Sequence, residues 1–170
     1  MELQRYIGVE LSSSKITMTH ALEGLTQEEV AWRPASGCNA IGLILFHMAR
    51  TEDSIMQGML LKKTSVWETE KWHENLGLSP DEAGSHYTVE QVNAFKVPQL
   101  PQILAYADAV RAKTKETLRS LTVAAFDEKI NFPNVGEMSV GALFAFLISH
   151  ASQHIGEIAY LRGMQRGMDK

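Results

Sequence analysis

The stretch SVGALFAFLISHASQHIGEIAYLRG, residues 139–163, decides the fold. Leu143, Leu147, His150, His154, Ile158 and Leu161 recur at steps of three and four, the spacing of one face of an α-helix. Ser139 is a good N-cap ahead of this run, and Gly163 supplies a stop after Arg162. The predicted helix therefore spans about 139–162. Two of the six residues on its inward stripe are histidines.

The same period appears three more times. Leu3, Ile7, Leu11, Met18, Leu22 and Leu25 mark a first helix, which Gly24 breaks. Thr26 and Glu29 then form a T-x-x-E capping box for a short helical turn closed by Pro34 and Gly37. A second long helix is predicted from Asn39 as N-cap to about Leu61, with Ile41, Ile44, Leu45, Met48, Ile55 and Met59 inward. A third is predicted over Gln99–Leu121, with Leu100, Ile103, Leu104, Ala107, Val110, Thr114, Leu118 and Leu121 on one side.

Between the second and third helices, Lys62 to Pro98 carries Trp67, Trp72, Gly77, Pro80, Gly84 and Pro98, the marks of a long crossover with short helical pieces. Connections of this length are often lids or binding loops. A second sizeable loop, Thr122–Met138, holds Pro133 and Gly136. Few alternating β-branched runs exist, so no sheet is expected. The expected architecture is an all-α four-helix bundle with a long crossover between helices 2 and 3, built as one domain over residues 1–170.

Composition narrows the function classes. With 45% hydrophobic and 21% charged residues, the chain is too apolar to be disordered. A formal net charge of −4 provides no basic field for nucleic acid or anionic membrane. The cations between Arg111 and Arg119 read as the solvated face of a helix. No apolar run reaches the roughly 20 residues of a membrane span, and no signal-peptide core follows Glu2. Cys38 is the sole cysteine, which excludes an internal disulfide. A cytoplasmic protein is the expectation.

The chemistry lies in the fourth helix. His150 and His154 are spaced i, i+4, so both imidazoles project from one face and can reach one ion. Burying two imidazoles side by side costs free energy unless their nitrogens have partners, and a metal is an efficient one. His47 lies in the apolar run Ile44-Leu45-Phe46-His47-Met48 of a helix that an antiparallel neighbour could bring to the same level. Three imidazoles leave coordination positions open, as in a catalytic site. On spacing alone, core histidines bonded to backbone carbonyls are an equal alternative. Ala151 after His150 removes the H-E-x-x-H general base of a zincin. Glu157 shares the face of His154 and is a candidate to orient that imidazole, or else a solvent-facing glutamate.

Taken with further fragments, these residues resemble the DinB/YfiT-like family of metalloenzymes. The fragments are Ala31-Trp32-Arg33-Pro34, then Asn39-Ala40-Ile41-Gly42 leading to Phe46-His47-Met48-Ala49-Arg50-Thr51-Glu52-Asp53. After them come Trp67 and Trp72 with Asn75-Leu76-Gly77, Leu104-Ala105-Tyr106, His150-Ala151-Ser152-Gln153-His154-Ile155-Gly156-Glu157, and Leu161-Arg162-Gly163. Their order and spacing cover nearly the whole chain. The resemblance implies a bundle, usually a homodimer, with nickel or zinc held at one end by His47, His150 and His154. It also implies, for some members, transferase or isomerase activity with a low-molecular-weight thiol such as bacillithiol.

Three function classes follow: a metal-dependent thiol S-transferase acting on a small electrophile, a metal-assisted hydrolase, and a non-catalytic binding module. Glu52 joins Glu157 as a possible orienter of the ligands. Trp67 and Trp72 are candidates for a pocket wall or for anchors of the crossover, and Arg33 for an anion contact or an ordinary ion pair. His20, His73 and His86 read as surface or loop histidines, with approach of either of the last two to an open metal position as the lesser alternative. Cys38 precedes a helix start, which is not enough to make it a nucleophile.

Overall fold

The computed structural model describes residues 2–132 and 135–167. It is mostly helical. Helix α1 spans Leu3–Leu22, α2 Gln27–Ala31 and α3 Ile41–Asp53, which runs on as a π-helix over Ser54–Leu60. The crossover holds α4 (Val66–Thr69), α5 (Trp72–Leu76) and α6 (Val89–Ala94). Helix α7 spans Leu100–Ser120, a 3₁₀ turn follows at Ala124–Asp127, and strands β1 (Lys129–Phe132) and β2 (Gly136–Ser139) lead into α8 (Val140–Arg166).

Local chemistry sets these boundaries. Thr26 and Glu29 form the reciprocal capping box that starts α2, and Thr88 with Gln91 forms a second at α6. Ser139 caps α8 through its hydroxyl to the Ala142 amide. Each such cap stabilises its helix by about 1 kcal/mol. Helix α3 departs from the expected start: its N-cap is Ala40 rather than Asn39, without a side-chain cap. There the chain is held by packing, since a Cβ on Gly42 would lie 2.2 Å from Val97 Cγ1.

The sequence reading needs three further corrections. A sheet does exist: β1 and β2 pair antiparallel, Ile130 opposite Met138 and Phe132 opposite Gly136. Four-residue strands are too short to show as an alternating run, and Gly136 takes the φ of +98° that its turn requires. Pro133, expected in this loop, lies outside the described residues. The helix predicted from Asn39 to Leu61 changes hydrogen-bonding pattern after Asp53. Helix α8 continues through Gly163 to Arg166 and ends at Gly167. Arg166 donates to both Glu29 oxygens at 2.5 Å and to the Gly24 carbonyl, contacts that outweigh the weak stop of one glycine.

The long helices pack around a shared interior, α1 against α8 and α7, and α3 against α7 and α8. One apolar cluster gathers Phe46, Trp67, Tyr106, Ile103 and Ile158; the other gathers Ile7, Leu11, Met56, Leu143 and Phe144. Full burial of such side chains stabilises the fold by about 1.5–3 kcal/mol each. Between the clusters, Asp53 is wholly buried and accepts from the Val66 and Trp67 amides at 2.9 Å and from the Tyr106 hydroxyl at 2.8 Å. Those bonds tie the start of the crossover to α3 and α7. Burial, then the Asp53 charge, push the Tyr106 phenol up, so it stays a donor. Among the described residues, no helix is long and apolar enough to cross a membrane.

Candidate metal centre

Helices α3 and α8 bring His47, His150 and His154 together. His150 Nε2 lies 3.1 Å from His47 Nε2 and 3.1 Å from His154 Nε2. Two of the remaining nitrogens have partners. His47 Nδ1 lies 2.8 Å from the Gly84 carbonyl, and a carbonyl only accepts, so the proton sits on Nδ1 and the Nε2 lone pair faces inward. His154 Nδ1 lies 2.8 Å from Glu157 Oε2, which fixes the same tautomer. A single proton on His150 Nε2 can satisfy one neighbour only. The other lone pair then faces no donor, whereas one cation satisfies all three.

Ligand nitrogens 2.0–2.1 Å from an ion lie about 3 Å apart, so the observed spacing suits three ligands on one face of an ion. All three rings are half-buried. Desolvation, then the neighbouring His154 and His47, lower His150 to about 4. Desolvation is also the leading cause that lowers His47, against the Gly84 hydrogen bond that raises it. Both are neutral near pH 7, the form that binds metal. The triad could thus hold a metal ion. It sits between Leu147 and Ile158 on α8 and six residues into α3.

The Gly84 contact depends on the crossover. Gly84 has φ +75°, and a Cβ there would lie 2.7 Å from Arg50 Cβ and Cγ. The backbone therefore lies directly on the Arg50 stem. Arg50 is held in turn by its Nε bond to the Glu82 carbonyl (3.2 Å) and by stacking 4.7 Å over the Trp67 ring. Arg50 stands three residues after His47, one helical turn along, so the residue beneath the loop and the ligand above it share a face of α3. Sequence reasoning missed Arg50 in this role. It registered Gly84 only as a breaker, because a backbone carbonyl leaves no mark in a sequence.

The other candidates divide clearly. Glu157 is at the triad, half-exposed, on His154. Glu52 is not: both its oxygens take 2.7 Å bonds from Arg111, whose remaining nitrogen reaches the Leu11 carbonyl at 2.8 Å. Arg111 therefore points inward and departs from the solvated face expected of it, because a buried carboxylate waits on α3. Trp67 is fully buried, with its indole N–H on the Pro80 carbonyl, so it anchors the crossover and lines no pocket beside the triad. Trp72 packs on Tyr106 and bonds Glu70. Arg33 donates to the Phe95 carbonyl and does not border either cavity beside His47. His73 packs beside Trp67, and His20 is exposed near Glu23. His86 does reach the site's rim, in a left-handed backbone conformation at φ +58°.

Two cavities flank His47. One, about 270 Å³, is bordered by Asn39, Gly84, His86, Tyr87 and His154. The other, about 330 Å³, is bordered by Thr51, Ile55, Met59, Phe132, Phe146 and His150. The triad is therefore approachable from both sides.

A helical fold with three inward imidazoles is one that could hold a metal ion, and the comparisons with known proteins give its family. The DinB superfamily model matches residues 12–158, and the chain belongs to that superfamily. Among solved structures, the conserved protein of locus from Enterococcus faecalis is similar, with TM-score 0.85 and 22% sequence identity over 96% of this chain and 97% of that one. That likeness concerns the fold. No curated protein matches the chain.

Proposed function

We propose that the protein is a metal-dependent enzyme of the low-molecular-weight-thiol transferase type, acting on a small electrophile, with His47, His150 and His154 as the ligands of one divalent ion. The single observation that carries the metal reading is the convergence of three imidazoles, His150 Nε2 lying 3.1 Å from the Nε2 of both His47 and His154, with more lone pairs than protons between them. Nickel or zinc suits such a set, since imidazole is a borderline ligand for both. When bound, the ion would supply a positive charge that lowers the pKa of a thiol or water at an open position. The thiol, bacillithiol or a relative, follows from the family resemblance.

The chain's own residues have defined tasks in this reading. The Gly84 carbonyl and the Glu157 carboxylate hold two imidazoles in the tautomer that directs Nε2 inward. Desolvation keeps His47 and His150 neutral, and the two flanking cavities leave room for reactants. In the overall reaction the thiol sulfur forms a bond to the electrophilic carbon. The displaced group leaves with its bonding pair, and the thiol proton goes to solvent. We read the packing of α1, α3, α7 and α8 as one four-helix bundle with a crossover, acting as a cytoplasmic homodimer.

Elemental analysis of protein purified without a histidine tag tests the metal. One divalent ion per chain is expected, with loss of that ion in His150→Ala; full occupancy in that variant would overturn the assignment. Activity across thiols and electrophiles then tests the reaction. Thiol-independent hydrolysis would point to a metal-assisted hydrolase, and inactivity throughout to a binding module.

A further inference from the structure

The larger cavity beside the triad has a one-sided chemistry. Its apolar wall consists of Ile55 and Met59 from the π-helix, Phe132 from β1 and Phe146 from α8. Phe132 and Phe146 meet with ring centroids 5.4 Å apart at 59°, and Phe146 stacks on the His150 ring at 5.7 Å and 25°. An aromatic wall thus runs without interruption up to a ligand histidine. Thr51, Ser54 and Ser85 supply hydroxyls and Arg50 and His86 supply basic groups elsewhere on the rim, and among the described residues the lining contains no carboxylate. The π-helix is the second, independent observation. Helices of this kind are rare and concentrate at functional sites, because the wider turn displaces side chains from their α-helical positions. Here it begins at Ser54, within the cavity wall.

We propose that this cavity binds the apolar, ring-bearing or conjugated and non-cationic body of the substrate, packed between Phe132, Phe146 and Met59 with its reactive atom toward His47 and His150. The inference deepens the transferase reading and rests on it for calling the occupant a substrate. The volume, about 330 Å³, lies within the usual range of small-molecule sites. Aromatic edges and faces favour a planar apolar group by offset or edge-on packing. A cationic group finds no carboxylate among the described lining residues and is disfavoured beside Arg50.

Fluorobenzene is a suitable probe, observed through its ¹⁹F signal, because it binds without reacting and its binding needs no metal. The full chain, with or without metal, should broaden and shift that signal saturably. Met59→Trp, which fills the cavity from a partly exposed position, should weaken binding at least tenfold with metal content unchanged. Phe132→Ala, on the hairpin and separated from His150 by Phe146, should weaken it several-fold, which keeps the test open if the first variant folds poorly. Met18→Trp, which fills instead the crevice between α1, α3, α7 and α8, should leave binding intact. Loss of binding in Met18→Trp with none in Met59→Trp would overturn the proposal, as would no binding to wild type or equal binding of benzylammonium. Binding as expected in a protein that holds no metal would sustain the cavity while removing the metal reading, so the two failures are distinguishable.

Discussion

Helix α8 and the crossover contribute to the same site in opposite ways. Helix α8 brings two histidines of the triad by period alone: any helix with histidines at 150 and 154 presents both on one face. The crossover brings no ligand. It contributes a backbone carbonyl, that of Gly84, held in place by the Arg50 stem, the Glu82 carbonyl and the Trp67 ring. The rigid element carries two of the imidazoles, and the irregular one sets the tautomer of the third, His47 on α3. A division of this kind makes the site sensitive to changes that touch no histidine.

The strongest way to break the comparison is at the crossover's anchor. Asp53→Ala removes the acceptor of two amides and one hydroxyl, all buried, and is expected to destabilise the protein by about 3–5 kcal/mol. Chemical denaturation would read this as a large fall in midpoint. Asp53→Asn, which keeps one acceptor, should recover part of it.

A more selective break is Gly84→Ala. The left-handed φ and the contact with Arg50 together should cost about 1–3 kcal/mol. Displacing the carbonyl from His47 should also weaken metal binding about 10–100-fold, the range for partners that orient ligands. Titration with zinc against a competing chelator measures the second effect; unchanged affinity would mean that the crossover does not orient His47. Glu157→Ala tests the corresponding contact on α8. Its carboxylate is half-exposed and water can replace it, so the loss should be smaller, about tenfold or less. A larger effect for Glu157→Ala than for Gly84→Ala would invert the comparison. At the bottom of the scale, Lys15→Ala breaks an exposed ion pair with Asp108 and should change stability by less than about 0.5 kcal/mol.

The sequence carries the helical part of this account well because a 3.6-residue period writes itself into which residues are apolar. Leu143, Leu147, Ile158 and Leu161 mark α8, and the histidines stand out by interrupting their stripe. The Thr26–Glu29 box is legible for a similar reason, being a contact across three residues. What stays hidden depends on distant partners. Glu52 looks like a neighbour of the site until Arg111 arrives from α7 to claim it. Trp67 looks equally suited to a pocket and to a core until the Asp53 bonds draw its backbone inside. The hairpin was missed because four residues are too few to show a period, and the π-helix because Ser54–Leu60 keeps an apolar pattern that an α-helix would also carry. Spacing alone leaves metal ligands and core histidines level, and the family resemblance is what favours the metal reading proposed above.

X-ray absorption on tag-free protein loaded with zinc tests the central claim most directly. Three imidazoles should appear as nitrogen scatterers at about 2.0–2.1 Å, with the remaining scatterers light atoms. A shell at about 2.3 Å from the sulfur of Cys38, or an oxygen-only sphere without imidazole, would contradict it.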